Sequence, residues 1–280
     1  MSLRRACVIG HPVAHSRSPL IHRYWLKEHR IEGDYVREDV APEAIERFLD
    51  RLGERYVGAN VTIPHKEAAF RKLKRADPVA RALGAANTLW FEDGALCGSN
   101  TDVYGFSAHL DESLPGWEKR TVTALVLGAG GAARGVIYAL LERGVRRIAI
   151  ANRTRARGEA LARQFGEKCT VMDFAELSPR LAETDLLVNT TSLGMKGQPS
   201  LEIDLLPLKR AAAVYDIVYV PLETRLLAAA RARGHPVIDG LGMLLHQAVP
   251  GFERWFGVRP KVTPALRALL LADLGEKERR

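Results

Sequence analysis

Short runs of apolar residues alternate with polar segments along the first part of the chain and predict a repeated order of strands and helices. The predicted elements are a buried strand at 6–10, a polar loop at 11–19, a helix at about 20–29, a strand at 35–40, a helix at 42–55 and a strand at 56–61. Within 42–55, Ile45, Leu49 and Leu52 recur at helical spacing and define an apolar face. The order β-α-β-α-β favours a parallel sheet covered by helices.

The pattern restarts after a polar segment at 111–120, which contains a Pro-Gly step and predicts a turn. Before it, residues 88–91 and 95–98 flank Asp93-Gly94, a step that is typical of a β hairpin. After it, the predicted strands are 121–127, 147–151, 185–189 and 213–216, and the predicted helices are 132–143, 155–165, 223–233, 242–255 and one from 264 onward. This second alternation predicts a doubly wound α/β unit.

Composition excludes several classes of protein. The chain has 280 residues, 47% hydrophobic and 26% charged, which is typical of a globular protein with about two domains. Its longest uncharged stretches, Thr121–Ala133 and Gly240–Phe252, are shorter than the about 18 apolar residues that a membrane-spanning helix needs. We therefore expect no membrane span. The apolar run at 6–10 is too short to predict a signal peptide.

Cysteine content and charge bear on the compartment and the partners. Cys7, Cys97 and Cys169 are sparse and odd in number, which argues against a disulfide framework and predicts a cytoplasmic protein. The formal charge is +8, from 41 Lys and Arg against 33 Asp and Glu, and the basic residues are spread along the chain. A nucleic-acid binder would concentrate them on one face beside aromatic groups, so that alternative rests on net charge alone. A small anionic substrate or cofactor is served equally well.

A glycine-rich segment predicts a dinucleotide site. Gly128-Ala129-Gly130-Gly131-Ala132-Ala133 follows a predicted strand and opens a predicted helix with the spacing G-x-G-x-x-A. The first glycine permits a tight turn, the second lets the backbone approach a pyrophosphate, and a small third residue packs the helix on the strand. The free N–H groups at the helix start would bind the phosphates. The alternative is an ordinary strand–helix turn, which the context disfavours.

The end of the next strand selects the cofactor. An NAD site has an Asp or Glu about 20 residues beyond the glycines, which binds the ribose 2′-hydroxyl. This chain has no carboxylate there, in Asn152-Arg153-Thr154-Arg155-Ala156-Arg157. Arg153 and Arg157 can pair with a 2′-phosphate, although each could also be the solvated start of a helix. The missing acid favours NADP(H).

Polar clusters at predicted strand ends indicate a substrate site in the first part of the chain. The candidates are Ser16 and Ser18 after the first strand, Thr62 and Lys66 after the third, Asn87, and Asp102. Each alone could be a turn residue or a helix cap. Together they suit a polyhydroxylated substrate, because several hydroxyls need several short donors and acceptors.

The same clusters contain the groups that reduction of a ketone needs. Hydride addition leaves an alkoxide, a lysine ammonium can protonate it, and a nearby aspartate can orient the lysine. Lys66 and Asp102 are the candidates. No metal is predicted, because the spacing of His11, His15, His65 and His246 is not that of a metal site.

Nine segments then identify a family resemblance. They are 10–19 (GHPVAHSRSP), 60–66 (NVTIPHK), 84–88 (GAANT), 100–102 (NTD), 128–132 (GAGGA), 152–154 (NRT), 189–195 (NTTSLGM), 216–219 (DIVY) and 239–247 (DGLGMLLHQ). Through these motifs, which span nearly its whole length, the chain resembles the shikimate dehydrogenase family. One departure is His65, which replaces a common Phe beside Lys66.

The resemblance implies reversible NADPH-dependent reduction of 3-dehydroshikimate to shikimate, in chorismate and aromatic amino-acid biosynthesis. It implies that Lys66 is the catalytic acid and base and that Asp102 is its partner. The implied substrate-binding residues are Ser16, Ser18, Thr62, Asn87, Tyr219 and Gln247. The implied NADP(H)-binding residues are Gly128, Ala129, Gly130, Gly131, Ala132, Asn152, Arg153, Thr154, Arg157, Ile217 and Gly240.

The resemblance also implies a two-domain α/β fold. An N-terminal substrate domain with a mostly parallel sheet would comprise 1–103, and a Rossmann-type NADP-binding domain 104–240. C-terminal helices at 241–280 would pack back on the substrate domain and complete it. We expect a monomer or homodimer that acts on a small molecule, with no nucleic acid and no membrane as partner.

Two rival functions stay open. A quinate or dual quinate/shikimate dehydrogenase would have the same fold, and the segment Asn152-Arg153-Thr154 favours NADP and therefore the biosynthetic enzyme. A non-catalytic, nucleotide-sensing protein would also use this scaffold. The presence of both Lys66 and Asp102 argues against a sensor, which has no need of a proton donor.

Overall fold

The computed structural model describes residues 3–278, and the chain divides into two compact units. Unit 1 takes the described residues of Met1–Gly105 and Leu245–Arg280, and unit 2 takes Phe106–Leu244. The first elements are β1 (Arg4–Gly10), α1 (Ser18–Glu28), β2 (Gly33–Asp39), α2 (Ile45–Asp50), α3 (Leu52–Arg55), β3 (Gly58–Val61), α4 (Lys66–Lys72), β4 (Arg75–Ala76), α5 (Pro78–Leu83), β5 (Thr88–Glu92), β6 (Ala95–Ser99) and α6 (Asp102–Ser113).

The sheet of unit 1 has the strand order β2-β1-β3-β5-β6-β4. β1 pairs in parallel with β2 and β3, β4 pairs in parallel with β6, and β5 runs antiparallel to both β3 and β6. The hairpin predicted from Asp93-Gly94 is confirmed. Both residues have positive φ angles, 52° and 74°, and they join the paired ends Glu92 and Ala95.

The prediction of one continuous helix at 42–55 is wrong, because the structure divides this segment into a short turn and two helices. A 3₁₀ turn covers Pro42–Ala44, and Arg51, with φ −107° and ψ 6°, separates α2 from α3. The turn brings Leu52 into the core and sets Gly53 against the ring of Phe91, where a Cβ atom would lie 3.1 Å from Cζ. The predicted apolar face is confirmed, since Ile45, Leu49 and Leu52 are all buried.

Two helices at the end of the chain pack on unit 1, as predicted. These are α12 (Leu241–Phe256), most of which belongs to unit 1, and α13 (Pro264–Glu278). The indole of Trp255 donates a 2.8 Å hydrogen bond to the carbonyl of Leu89 in β5. The indole of Trp25 in α1 donates a 3.0 Å bond to the carbonyl of Lys261. The first bond ties α12 to the sheet, and the second ties the segment between α12 and α13 to α1.

Unit 2 has a six-stranded, wholly parallel sheet. Its remaining elements are α7 (Trp117–Arg120), β7 (Thr123–Leu127), α8 (Gly131–Glu142), β8 (Arg147–Ala151), α9 (Arg155–Phe165), β9 (Cys169–Met172), α10 (Leu177–Leu181), β10 (Leu186–Asn189), β11 (Ala213–Asp216), α11 (Arg225–Ala232) and β12 (Val237–Ile238). The strand order is β12-β11-β10-β7-β8-β9. This is the doubly wound Rossmann order, in which the direction of winding reverses between β7 and β10. The prediction of a Rossmann-type unit is confirmed.

None of the helices among the described residues is long and apolar enough to cross a membrane.

Candidate functional site

The pairing of four strands brings the polar clusters of unit 1 to one edge of its sheet. β1 and β3 are parallel neighbours, so the segments that follow Gly10 and Val61 leave the sheet side by side. β5 begins where β3 ends, with Asn60 opposite Thr88, and Thr88 in turn lies opposite Ser99, the last residue of β6. The carboxyl ends of parallel strands are where α/β folds bind ligands.

Lys66 and Asp102 meet at this edge. Lys66 begins α4 and Asp102 begins α6, and Lys66 Nζ lies 2.6 Å from Asp102 Oδ2. Their side chains retain 30% and 22% of their exposure, so both are partly buried and still accessible to a small molecule. The N-terminal end of a helix favours a carboxylate, which suits the charge of Asp102.

Asn87 joins the pair. Its Nδ2 donates a 2.8 Å bond to Asp102 Oδ1, and its Oδ1 accepts a 2.7 Å bond from the backbone N–H of Thr101. The two oxygens of Asp102 are thus held by two different donors, Asn87 and Lys66. Three of the residues that the sequence indicated lie together here.

The loop that carries Ser16 follows β1 and begins at the same edge of the sheet. Ser16 Oγ lies 3.3 Å from Ser18 Oγ and accepts a bond from the Ser18 backbone N–H, while Arg37 donates to the Ser16 carbonyl at 3.0 Å. Thr62 lies beside the end of β1, because a Cβ atom at Gly10 would be 2.4 Å from the methyl group of Thr62. The loop that carries Ser16 therefore follows the end of β1, and Thr62 follows the end of the neighbouring strand β3.

Asp39 holds the start of the loop between β1 and Ser16 through two hydrogen bonds. Its Oδ1 lies 2.6 Å from His11 Nδ1, and its Oδ2 accepts a 3.2 Å bond from the backbone N–H of Val13. The His11 bond, followed by the Val13 bond, lowers the pKa of the Asp39 carboxyl below its ordinary value. The carboxylate orders the backbone between β1 and Ser16.

His65, the departure beside Lys66, is directed elsewhere. Its ring is buried, and its Nε2 lies 2.6 Å from the carbonyl of Val40. Lys66 instead extends to Asp102, so the two neighbouring side chains have different partners.

Two of the expected substrate-binding residues come from other elements. Gln247 lies on α12 in unit 1 and is buried. Tyr219 lies in the segment after β11, in unit 2.

One buried polar residue at this edge was missed by the sequence reasoning. Asn60 is 5% exposed, and its side chain bonds the hydroxyl groups of Tyr35 at 2.6 Å and Thr88 at 3.1 Å. The available signal was an amide inside the otherwise apolar strand 58–61. A buried amide must be hydrogen-bonded, so it marks a polar contact in the core.

The glycine turn of unit 2 has the geometry of a dinucleotide site. Gly128 has φ 107°, and its N–H donates a 2.8 Å bond to the carbonyl of Ala151. Gly130 is the N-cap residue of α8, and a Cβ atom on Gly130 or Gly131 would meet no atom within 4 Å. Ala133 is fully buried against the sheet, as the G-x-G-x-x-A pattern predicts. The exposed backbone between these residues can receive a phosphate.

The basic segment after β8 contains three arginines with different environments. Arg155 is neutralised internally, by Glu159 at 3.1 Å and Asp173 at 3.1 Å. Among the residues that the structure describes, no carboxylate lies within ion-pair distance of Arg153 or Arg157, and both are exposed. Asn152 shapes this turn by donating a 2.8 Å bond to the carbonyl of Thr154. The segment therefore offers two cations to an external phosphate.

Ile217 and Gly240 are also brought together. A Cβ atom at Gly240 would lie 2.0 Å from the Ile217 carbonyl oxygen, so only glycine permits this approach. The loop is held by the buried Asp216, which accepts bonds from Asn189 at 2.9 Å, the Val218 N–H at 3.0 Å and Thr224 at 2.7 Å. Burial raises the pKa of the Asp216 carboxyl.

Within the described part of the chain, no group of three or more His, Cys, Asp or Glu residues is arranged to hold a metal ion.

Fold and site together define a class of protein, with a Rossmann-type dinucleotide-binding unit and a second α/β unit that holds a lysine–aspartate pair. Three family models match the chain. They are the shikimate dehydrogenase substrate binding domain over 8–89, shikimate / quinate 5-dehydrogenase over 112–196, and the shikimate 5′-dehydrogenase C-terminal domain over 240–270. The chain belongs to the shikimate dehydrogenase family.

Curated relatives match over nearly the full length. A shikimate dehydrogenase (NADP(+)) of Azorhizobium caulinodans is 59% identical over 276 residues, 98% of each chain. Another, from Chelativorans sp., is 58% identical over 273 residues, again 98% of each chain.

Solved structures match in the same way. Shikimate 5-dehydrogenase of Thermus thermophilus, in complex with NADP(H) and shikimate, is 37% identical with a TM-score of 0.87, over 96% of this chain and 100% of that one. Quinate dehydrogenase of Corynebacterium glutamicum, in complex with NAD, is 32% identical with a TM-score of 0.89. The match covers 96% of this chain and 99% of that one.

Proposed function

We propose that this protein is an NADP-dependent dehydrogenase that interconverts 3-dehydroshikimate and shikimate, a step of chorismate and aromatic amino-acid biosynthesis. The observation that carries the proposal is the Lys66–Asp102 pair, 2.6 Å apart at the ligand-binding edge of unit 1. The NADP(+)-dependent relatives support the choice of cofactor, as do Arg153 and Arg157, which pair with no carboxylate among the described residues.

Lys66 performs the proton transfer. Bound NADPH supplies the hydride that turns the ring ketone into an alkoxide. Lys66 gives a proton from Nζ to that oxygen, and the carboxylate of Asp102 stabilises the ammonium group. In the direction of oxidation, the neutral amine of Lys66 takes the hydroxyl proton of shikimate.

The substrate is held by short polar side chains. Ser16, Ser18, Thr62, Asn87, Tyr219 and Gln247 bind its carboxylate and hydroxyl groups. Asn87 can donate to the substrate, because its bond to Asp102 uses only one of its two amide hydrogens. The substrate domain has the proposed bounds 1–103 and 241–280, within a few residues of the bounds of unit 1.

The NADP-binding domain has the proposed bounds 104–240, within a few residues of the bounds of unit 2. Gly128, Ala129, Gly130, Gly131 and Ala132 bind the pyrophosphate, where a Cβ atom on Gly130 would occupy the exposed backbone cradle. Arg153 and Arg157 pair with the 2′-phosphate, beside Asn152 and Thr154. Ile217 and Gly240 contact the cofactor from the neighbouring loops.

The protein acts in the cytoplasm, as a monomer or homodimer. Its partner is a small-molecule substrate and not a nucleic acid. Cys7, Cys97 and Cys169 are all buried free thiols, which supports a reducing compartment.

Quinate dehydrogenation is the second candidate, because the fold resembles quinate dehydrogenase as closely as shikimate 5-dehydrogenase. Steady-state rates with shikimate and quinate, each with NADP and NAD, decide between them. We expect kcat/KM for shikimate to be about tenfold or more higher with NADP than with NAD, the effect of one charge-assisted contact, and we expect shikimate to be preferred to quinate with NADP. A preference for quinate with NAD would select the rival. Tight NADP binding without turnover of either acid would select a sensor.

A further inference from the structure

A series of hydrogen bonds runs from Tyr35, in β2, through buried side chains to the partly buried carboxylate of Asp102. Tyr35 Oη lies 2.6 Å from Asn60 Oδ1, and Asn60 Nδ2 lies 3.1 Å from Thr88 Oγ1. Thr88 Oγ1 lies 3.0 Å from Asn87 Oδ1, and Asn87 Nδ2 lies 2.8 Å from Asp102 Oδ1. We call Tyr35, Asn60, Thr88 and Asn87 the buried relay.

The direction of each bond at Asn60 is fixed by chemistry. Asn60 Nδ2 also lies 3.3 Å from the backbone carbonyl of Asn87, which can only accept. The amide nitrogen of Asn60 therefore faces Thr88 and Asn87, and its oxygen faces Tyr35. Since that oxygen can only accept, the Tyr35 hydroxyl must donate.

The orientation of Asn87 is fixed in the same way. The backbone N–H of Thr101, which can only donate, lies 2.7 Å from Asn87 Oδ1. The amide nitrogen of Asn87 must then face Asp102. Thr88, which accepts from Asn60, has its own hydrogen for Asn87 Oδ1 at 3.0 Å or for Thr101 Oγ1 at 2.9 Å, and Thr101 Oγ1 lies 3.1 Å from the same Asn87 oxygen. Either route leads from Thr88 to Asn87.

The relay consequently has one polarity, with every donor pointing toward the Asp102 carboxylate. Its four side chains are between 0% and 5% exposed, so water does not replace a lost bond. Aligned hydrogen bonds in such surroundings polarise one another and favour the negative charge at their end. Removing a distant donor leaves a buried acceptor unpaired and loosens the next link.

We propose that Tyr35 is a positioning residue for the proton-transfer pair, acting through Asn60, Thr88 and Asn87 to hold Asp102 against Lys66. The proposal rests on the proposed dehydrogenase function. Tyr35 does not touch Lys66 or Asp102 in this arrangement; its hydroxyl group donates to Asn60, and Asn87 is the amide that contacts Asp102. The ring has a separate task, since it stacks on His22 with centroids 4.1 Å apart.

Conservative substitutions separate the hydroxyl groups from the packing. Tyr35→Phe keeps the stacked ring, and Thr88→Val keeps the shape of the threonine, while Thr88→Ser restores the hydroxyl. The matched control is Tyr56→Phe, in the same unit. Tyr56 is likewise buried and donates its hydroxyl group to Glu38, and among the described residues no hydrogen bond joins Tyr56 to the relay.

Shikimate oxidation with saturating NADP is the assay. We expect Tyr35→Phe and Thr88→Val to lower kcat about fivefold, the value of one net hydrogen bond, with the KM for NADP unchanged. Thr88→Ser should recover most of the rate, and Tyr56→Phe should match wild type. Wild-type kcat in both relay variants, or equal losses in Thr88→Ser and Thr88→Val, would overturn the proposal.

A double-mutant cycle tests the route through Asp102. In an Asp102→Asn background the charge at the end of the relay is gone, so Tyr35→Phe should lower kcat by less than about twofold. A loss as large as in wild type would assign Tyr35 a general structural role and contradict the proposal. If wild type itself does not oxidise shikimate with NADP, the proposed function fails, a result distinct from failure of the relay.

Discussion

Gly128 packs against Thr190 so closely that a Cβ atom on the glycine would lie 2.7 Å from the threonine Oγ1. Thr190 Oγ1 in turn donates a 2.6 Å bond to the carbonyl of Leu127, the last residue of β7. The turn after β7 and the segment after β10 are therefore locked together. They adjoin the point between β7 and β10 at which the Rossmann sheet reverses.

The two glycines of this turn should respond differently to alanine. Gly128→Ala combines a steric clash with a positive φ of 107°, and we expect it to lower the free energy of unfolding by about 1–3 kcal/mol. Gly130→Ala has neither problem in the free protein, but its methyl group would stand where the pyrophosphate approaches. Urea denaturation without cofactor should separate the variants, and an NADP titration should show Gly130→Ala binding weakly. Equal stability of the two variants would contradict this assignment.

Arg153 should discriminate NADPH from NADH. A charge-assisted contact to a 2′-phosphate is worth about 1.5–3 kcal/mol. Arg153→Ala should therefore lower the affinity for NADPH about tenfold or more and change the affinity for NADH little. Arg155→Ala is the matched control, because Arg155 already pairs with Glu159 and Asp173. Fluorescence titrations with both nucleotides measure the effect. An equal loss for NADPH and NADH would remove Arg153 from the 2′-phosphate site.

His22 should make unit 1 sensitive to acid. The ring is 0% exposed, and burial lowers its pKa from 6.5 to about 3. Below about pH 6.5 the unfolded chain binds a proton that the folded chain does not, so the free energy of unfolding falls as pH falls, by up to about 1.4 kcal/mol per pH unit until about pH 3.

His22→Phe should remove this slope, since phenylalanine fits the aromatic cluster of Trp25, Tyr35 and Phe252. Urea denaturation at about pH 6.5 and about pH 5 should show a loss smaller by about 2 kcal/mol in the variant than in wild type. His15→Phe, at an exposed position, is the control. The same loss in His22→Phe as in wild type would mean that another group sets the acid sensitivity.

The sequence predicted local features well, because their causes are local. The glycine turn, the Asp93-Gly94 hairpin and the parallel strands of unit 2 follow from spacing and backbone preference within a few residues. The pattern gave no elements for α4 and α5, whose 7 and 6 residues are too few for a clear apolar face. The predicted helix at 42–55 is divided at Arg51, and the turn after it places Gly53 against Phe91, a neighbour far along the chain that spacing does not indicate.

The site depends on contacts that spacing does not encode. Lys66 and Asp102 are 36 residues apart, and Tyr35 and Asn60 are 25 apart. Sheet pairing brings each pair together. Sequence reasoning located the first pair as strand-end residues suited to protonate an alkoxide, and the family resemblance then implied the same roles. Asn60 was missed because its partners lie on other strands, Tyr35 in β2 and Thr88 in β5.

Proton transfer by Lys66 is the central claim, and Lys66→Ala tests it most directly. The measurement is kcat for shikimate oxidation with NADP, made beside an NADPH titration of the same preparation. Loss of a general acid–base group costs about 10²–10⁴-fold in rate, and we expect kcat to fall by that amount while NADPH affinity stays within about twofold of wild type. Wild-type turnover in Lys66→Ala would contradict the account.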